Sequence, residues 1–249
     1  MNEEKFTGKA EIYAKYRPSY TDEFIDYLYR DMGFKGSSRI ADIGAGTGIF
    51  TELLLKRGSI VCLVEPNHDM FCTAKSKLAK YADCCYSNAT AEETKLKDNS
   101  VDFVTAAQAF HWFQRDAFKE ECKRILKPDG KVLLVWNSRV ESAPMVLDNN
   151  EINKKYCINY KGFSAGNSVV NSEEYNDFFK TVEYKEFDNN LYFSCDGFVG
   201  RNLSSSYAPK PGAENYLPYI KALEELFSKY ERHGKVMMQH ITVSYVGEV

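Results

Sequence analysis

The sequence predicts an α/β protein built on a parallel sheet with helices on both faces. Between residues 39 and 137, short and strongly apolar runs (SRIAD, SIVCLVE, VDFVTAA, KVLLVWN) alternate with amphipathic stretches of helical period. Strands that apolar, separated by helices, are covered on both faces. The first run leads into ADIGAGTGIFTEL, where three glycines at alternate positions precede an apolar helical pattern. Such a strand-to-helix turn lets a ligand approach the backbone and offers it helix-start N–H groups. With 249 residues, 44% hydrophobic and 27% charged, the chain can bury one sizeable core, or a core with an elaboration, without disulfides.

Each element has its own signal. Thr21 fits an N-cap, Asp22 and Glu23 a first turn, and Phe24, Ile25, Leu28, Tyr29 and Met32 a helical stripe ending at Gly33. A strand is expected at about 39–43, a helix at 48–57 stopped by Gly58, a strand at 59–65, a helix at 67–80 and a strand near 84–87. Strand 101–107, helix 117–126 before Pro128 and Gly130, and strand 131–137 follow. The alternation then stops: 139–181 is polar and tyrosine-rich with weak helical pattern, 182–193 reads as a strand, 212–232 as mostly helical and 235–249 as a final strand. Long ordered insertions of this kind tend to be lids or binding elements.

The formal charge of −3 provides no broad basic surface, so no nucleic-acid partner is expected. Seven cysteines without a C-x-x-C pair or a histidine cluster predict neither a disulfide framework nor a metal site. The opening MNEEKFTGKAEIYAKYRP lacks a signal-peptide core, and IVCLV and VLLVW are too short to cross a bilayer, so a cytoplasmic protein without membrane association is expected.

The glycine turn narrows the ligand. A dinucleotide fingerprint needs a small residue where Ile49 stands, and a P-loop needs a Gly-Lys-Ser/Thr that is absent. Asp42, two residues before Gly44, repels a pyrophosphate but attracts a sulfonium or ammonium, as in S-adenosylmethionine. A glycine turn holding no ligand is the bland alternative. In such sheets ligands sit beyond the strand carboxyl ends. Glu65 occupies one such end, 17 residues after Gly48, where a carboxylate accepts from ribose hydroxyls. Thr90 and Ala91 follow the third strand, and AAQAFHWF follows the fourth.

DIGAGTG with Glu65, TAEETKL, VDFVTAAQAFHWF and LKPDGKVLLVWN together resemble the class I S-adenosylmethionine-dependent methyltransferases of the methyltransferase type 11 group. FTGKAEIYAKYRPSY and QAFHWF look like the branch that includes trans-aconitate methyltransferases; the likeness is good over 6–137 and fades beyond, apart from SSSYAP at 204–209. It implies a Rossmann-like, seven-stranded, mostly parallel sheet with an antiparallel last strand and a helical substrate-binding cover. It also implies S-adenosylmethionine as cofactor and a small-molecule acceptor, a carboxylate or a hydroxyl. The organisation expected is an arm at 1–20, a cofactor core at 21–138, a cover at 139–181, and a core completion at 182–249 carrying a second insertion at about 194–232.

Carried over residue by residue, the resemblance passes Gly44, Ala45 and Gly46 under the methionine part, close to Asp42. Glu65 holds the ribose, Pro66 and Met70 line the adenine, Thr90 and Ala91 meet its edge, and Gln108 meets the ammonium. Relatives often have Asp where Thr90 stands. Arg17, between Tyr16 and Pro18, pairs with the methionyl carboxylate as Tyr13 and Tyr16 close a lid; an arm pinned by buried tyrosines is the alternative. His111 is a general base, a substrate donor or a structural turn residue. Trp112 is a pocket wall or a core residue, and Arg139 and Tyr207 belong to the acceptor side. Neither an Asp/Asn-Pro-Pro-aromatic run nor a Pro-Cys dipeptide is present for methylation of bases. A protein that holds the cofactor without turnover, and an aminopropyl transferase, are the competing classes.

Overall fold

The computed structural model describes residues 19–162, 175, 177–205 and 207–249. Helix α1 (Asp22–Arg30) starts where Thr21 accepts a hydrogen bond from the Phe24 amide at 3.3 Å, and it buries Phe24, Ile25, Tyr27 and Leu28. The alternating part follows: β1 (Arg39–Ile43), α2 (Ile49–Lys56), β2 (Ile60–Val64), α3 (His68–Leu78), β3 (Cys84–Ser87), β4 (Val101–Ala107), a 3-10 turn (Phe110–Trp112), α4 (Arg115–Ile125) and β5 (Leu126–Arg139). The connection from β3 to β4 forms no helix. Its path is fixed from α4 instead. Glu121 accepts from the Thr94 amide at 2.8 Å and hydroxyl at 2.5 Å, and Arg124 donates to the Leu96 carbonyl at 2.8 Å.

Beyond Arg139 come α5 (Pro144–Tyr156), β6 (Thr181–Asp188), β7 (Leu191–Phe193), α6 (Cys195–Leu203), α7 (Tyr216–Tyr230), β8 (Val236–Met238) and β9 (His240–Glu248). One sheet has seven strands in the order β3-β2-β1-β4-β5-β9-β6. Neighbours from β3 through β5 are parallel. The last strand is antiparallel: the Lys180 amide donates to the Glu248 carbonyl and the Asn189 amide to that of His240, so β9 runs against β6. This is the Rossmann-like α/β fold expected, and its strand order reverses between β1 and β4.

The chain divides into two compact units, one running to Asn137 and taking up the segments ending at Phe187 and Val249, the other formed from Ser138 onward and from Asp188–Ile241. In the first, Phe24, Leu28, Ile40, Leu54, Leu63, Leu133, Val135, Phe187 and Val246 share one core. In the second, α5, α6 and α7 with the antiparallel pair β7 and β8 enclose Met145, Phe198, Tyr219, Leu223, Val236 and Met238.

Two departures from the sequence reading lie in the later half. The run 182–193 is two strands in two different sheets, and the final run is likewise divided at Gln239. The weak pattern in 139–181 conceals a thirteen-residue helix, α5, with Pro144 in its first turn. Its inward face carries Asn149 and Asn153 beside Met145 and Val146. One group of each amide is paired, since Asn149 donates to Asn202 at 3.1 Å and the Tyr219 hydroxyl donates to Asn153 at 2.7 Å, while Asn149 Oδ1 and Asn153 Nδ2 are buried without a hydrogen-bond partner among the described residues. A polar residue with a buried partner reads, in sequence, as a solvent position.

Candidate functional site

The glycine turn is shaped from within. Gly44, Gly46 and Gly48 all lie at positive φ, between 57° and 73°. The Gly44 and Ala45 amides both donate to the Val64 carbonyl, at 2.9 and 3.2 Å, and the Gly46 amide donates to Glu65 Oε2 at 2.8 Å. These amides therefore hold the turn against the end of β2. A Cβ on Gly44 would sit 2.7 Å from the Ala109 Cβ, because the segment after β4 crosses directly over it.

Asp42 is fully buried. Thr51 donates to it at 2.5 Å from α2 and Thr105 at 2.8 Å from β4, so it ties three elements together. Burial pushes its carboxyl up to about 6, against the pull of those hydroxyls, and Glu65 adds to the rise. Glu65 is also buried, and its second oxygen accepts from the Asn67 amide at 2.9 Å. A carboxylate oxygen has two acceptor sites and can serve a backbone amide and a second donor together. Two buried carboxylates at adjacent strand ends suit a cationic, hydroxylated ligand and disfavour an anionic one.

Around them the structure gathers most of the expected cofactor residues. Met70, in the first turn of α3, brings its sulfur to within 3.8 Å of where a Cβ on Gly46 would be. Pro66 and Thr90 line a recess of about 230 Å³ with Asn88, Ala89, Glu93 and Lys95. The Ala91 side chain is buried. Gln108 adopts the left-handed region, φ 60°, and donates through Nε2 to the Asn137 carbonyl at 3.2 Å. That bond fixes the amide, leaving Oε1 to accept.

Several contributors went unread in the sequence. Asn67 caps α3 by accepting from the Met70 amide at 3.0 Å, a role that its place before an apolar helical stretch could have signalled. Asn88 donates to the Glu65 and Pro66 carbonyls at 2.7 and 3.1 Å. Thr51 and Thr105 carry no sequence signal as partners of Asp42.

His111 and Trp112 form the exposed 3-10 turn after β4, their rings 4.8 Å apart. Tyr13, Tyr16 and Arg17 lie outside the described residues. Arg139 and Tyr207 belong to the second unit and meet there through Tyr160. The Tyr160 and Tyr207 rings are 4.7 Å apart and edge-on. Burial first and Tyr207 next push the Tyr160 hydroxyl up to about 12, while Arg139 pulls it down. Arg201, which the sequence offers with Arg139 and Lys210 as a basic residue of the insertions, joins the group through His240. That histidine is held down at about 4, chiefly by burial and further by the Arg139 and Arg201 guanidiniums.

Among the described residues no cluster of three or more His, Cys, Asp or Glu side chains is placed to hold a metal ion, and no helix is long and apolar enough to cross a membrane.

Comparison with known proteins agrees with the chemistry of the cradle. The model of the methyltransferase domain family matches residues 41–134. An uncharacterized methyltransferase of Mycobacterium tuberculosis is 39% identical over 147 residues, covering 59% of this chain and 58% of the relative. The chain thus spans little more than half the length of that relative. A Dictyostelium discoideum protein named as a methyltransferase is 30% identical over 237 residues, covering 92% of this chain and 87% of its own. Among solved structures, a type II methyltransferase from Anaeromyxobacter dehalogenans superposes with a TM-score of 0.67 at 22% identity, covering 93% and 97% of the two chains. Haemonchus contortus phosphoethanolamine N-methyltransferase 2, solved with S-adenosyl-L-methionine, gives 0.57 at 17% identity, covering all of this chain and 59% of its own. These last two likenesses speak for the fold. Because the D. discoideum likeness runs through nearly the whole of both sequences, the chain belongs to the class I S-adenosylmethionine-dependent methyltransferases.

Proposed function

We propose that the protein transfers the methyl group of S-adenosylmethionine to a small anionic acceptor, a carboxylate or an ionisable hydroxyl. The observation that carries the acceptor class is the pair Arg139 and Arg201, whose charges converge on one buried histidine, His240, inside the second unit. A histidine kept neutral beside two guanidiniums adds no positive charge of its own, and its Nδ1–H is spent on the Met238 carbonyl, so attraction for an anion rests on the two arginines. Tyr160 and Tyr207 supply hydroxyls and ring surface to the same group.

On the cofactor side, Glu65 accepts from the ribose hydroxyls, and the negative potential of Asp42 and Glu65 favours a cation. Pro66, Met70, Thr90 and Ala91 border the adenine. The fixed Gln108 amide turns Oε1 toward the methionyl ammonium. Arg17, Tyr13 and Tyr16 are assigned to closure over the ligand. The cofactor supplies an already activated methyl on a sulfonium, so the protein's task is alignment and exclusion of water. A carboxylate acceptor has no proton to lose. With a hydroxyl acceptor, His111 takes the proton, and Trp112 shields the reacting atoms.

The test is methyl transfer from isotopically labelled cofactor to matched pairs of small carboxylates and their neutral amides, read as S-adenosylhomocysteine formed. We expect turnover with the anionic member, and a rise in its KM of about tenfold to a hundredfold in Arg201→Ala, the loss of a charge-assisted hydrogen bond of about 1.5–3 kcal/mol. Preference for the neutral member would overturn the acceptor class. Cofactor bound without any turnover would favour a binding protein.

A further inference from the structure

We propose that Cys62 and Cys85 form an oxidisable dithiol, a modification site on the face of the sheet, which a hydroperoxide converts to a cross-strand disulfide.

The geometry begins with register. β2 and β3 are parallel neighbours in which Cys62 stands directly beside Cys85. Adjacent strands lie about 4.7–4.9 Å apart, within the span of roughly 4.4–6.8 Å between Cα atoms that a disulfide bridges. Paired residues in a sheet point to the same face. The residues on either side, Val61 beside Cys84 and Leu63 beside Tyr86, point to the opposite one. There Val61 and Leu63 lie in the main core with Cys84 and Tyr86 packed against it, so Cys84 is turned away from its sequence neighbour's thiol.

The Cys62–Cys85 face is less well covered. Residues 88–100, which connect β3 to β4, form a loop and not a helix, and Cys85 is exposed while Cys62 beneath it is buried. Exposure admits an oxidant to one thiol of the pair, and burial keeps the other in reserve beside it. The two sulfurs also differ in acidity. The neighbouring Cys62 thiol lowers the Cys85 thiol, with help from Arg39. The same pairing, with burial, raises Cys62. An exposed low-pKa thiol beside a resolving thiol is the arrangement that oxidises selectively.

The chemistry is two displacements. The Cys85 thiolate attacks the hydroperoxide, forming an S–O bond as the O–O bond breaks; the departing alkoxide or hydroxide takes a proton from solvent. The Cys62 sulfur then attacks the sulfenic sulfur, forming S–S as S–O breaks, and the hydroxide leaves with the Cys62 proton as water. The peroxide is reduced by two electrons and the dithiol oxidised by two.

The test treats the reduced full chain with stoichiometric hydrogen peroxide, alkylates the remaining thiols and maps tryptic peptides. The expected product joins peptide 58–75, which holds Cys62, to 81–95, which holds Cys85. Those peptides also contain Cys72 and Cys84, so variants assign the bridge. It should survive in Cys72→Ser and Cys84→Ser, disappear in Cys85→Ser, and be replaced in Cys62→Ala by a dimedone adduct at Cys85. A bridge that persists in Cys85→Ser, or Cys85 left fully alkylatable while exposed Cys72 oxidises, would overturn the proposal.

Discussion

Glu65 shows how much one side chain can carry. Its two oxygens hold the Gly46 and Asn67 amides, so the same carboxylate that is assigned to the ribose also sets the turn and the start of α3. Glu65→Gln turns one acceptor into a donor facing an N–H. The expected result is cofactor affinity lower by about tenfold to a hundredfold, from a charged hydrogen bond of about 1.5–3 kcal/mol. Calorimetric titration with S-adenosylmethionine measures it, and unchanged affinity would remove the ribose assignment. Glu65 could be picked out in the sequence because its distance from the glycines is a chemical constraint of the ligand. Arg201 stands out in the sequence only as one of the basic residues of the insertions, suited to an anionic or aromatic acceptor; its place beside His240 has no local signal, since that partner arrives 39 residues later in the chain.

At the scale of elements, the turn from β1 to α2 is the piece most completely specified by its own residues. Gly44→Ala places a methyl 2.7 Å from the Ala109 Cβ at a φ of 64°. Overpacking of this kind costs about 1–3 kcal/mol, and the unfavourable φ adds to it. Denaturant unfolding should therefore give a lower midpoint with an unchanged slope. The alternation of strands and helices was legible to within a few residues through β5, since each strand is apolar throughout and each helix has one apolar face. Legibility failed in the second unit for a physical reason. Asn149, Asn153 and Asn202 are buried against one another and against Tyr219, so the inward stripe is not apolar. Among the described residues the short strands β7 and β8 pair only with each other, and no hydrophobic period separates them from β6 and β9.

Across the whole molecule, two buried titratable groups oppose each other in acid. His240 has a folded pKa near 4, below its usual 6.5, so the folded state binds fewer protons than the unfolded one between those values. The stability involved is full above pH 6.5 and is lost as pH falls toward 4, up to about 3 kcal/mol. Asp42 behaves oppositely: its folded pKa near 6 exceeds 3.8, so its burial is least costly in acid and stability falls as pH rises from 3.8 to 6. The two groups belong to different units. Hydrogen exchange, corrected for intrinsic rates, should therefore show α5, α6 and α7 losing protection between pH 6.5 and 4.5 while β1 and β4 keep theirs. His240→Asn, which retains a donor for the Met238 carbonyl, should abolish the loss. Equal loss in both units would mean that His240 does not control it.

The position of β9 between β5 and β6 has a consequence for how the chain is made. When Thr181–Asp188 leaves the ribosome, the strand that must join it to β5 has not yet been translated; it comes only at His240–Glu248, after the second unit's α6, α7, β7 and β8. At a synthesis rate of about 5–20 residues per second, that is a wait of roughly 3–10 s with a bare strand edge on β5. The nascent sheet is open to wrong partners for that interval, and chaperone engagement should be concentrated there.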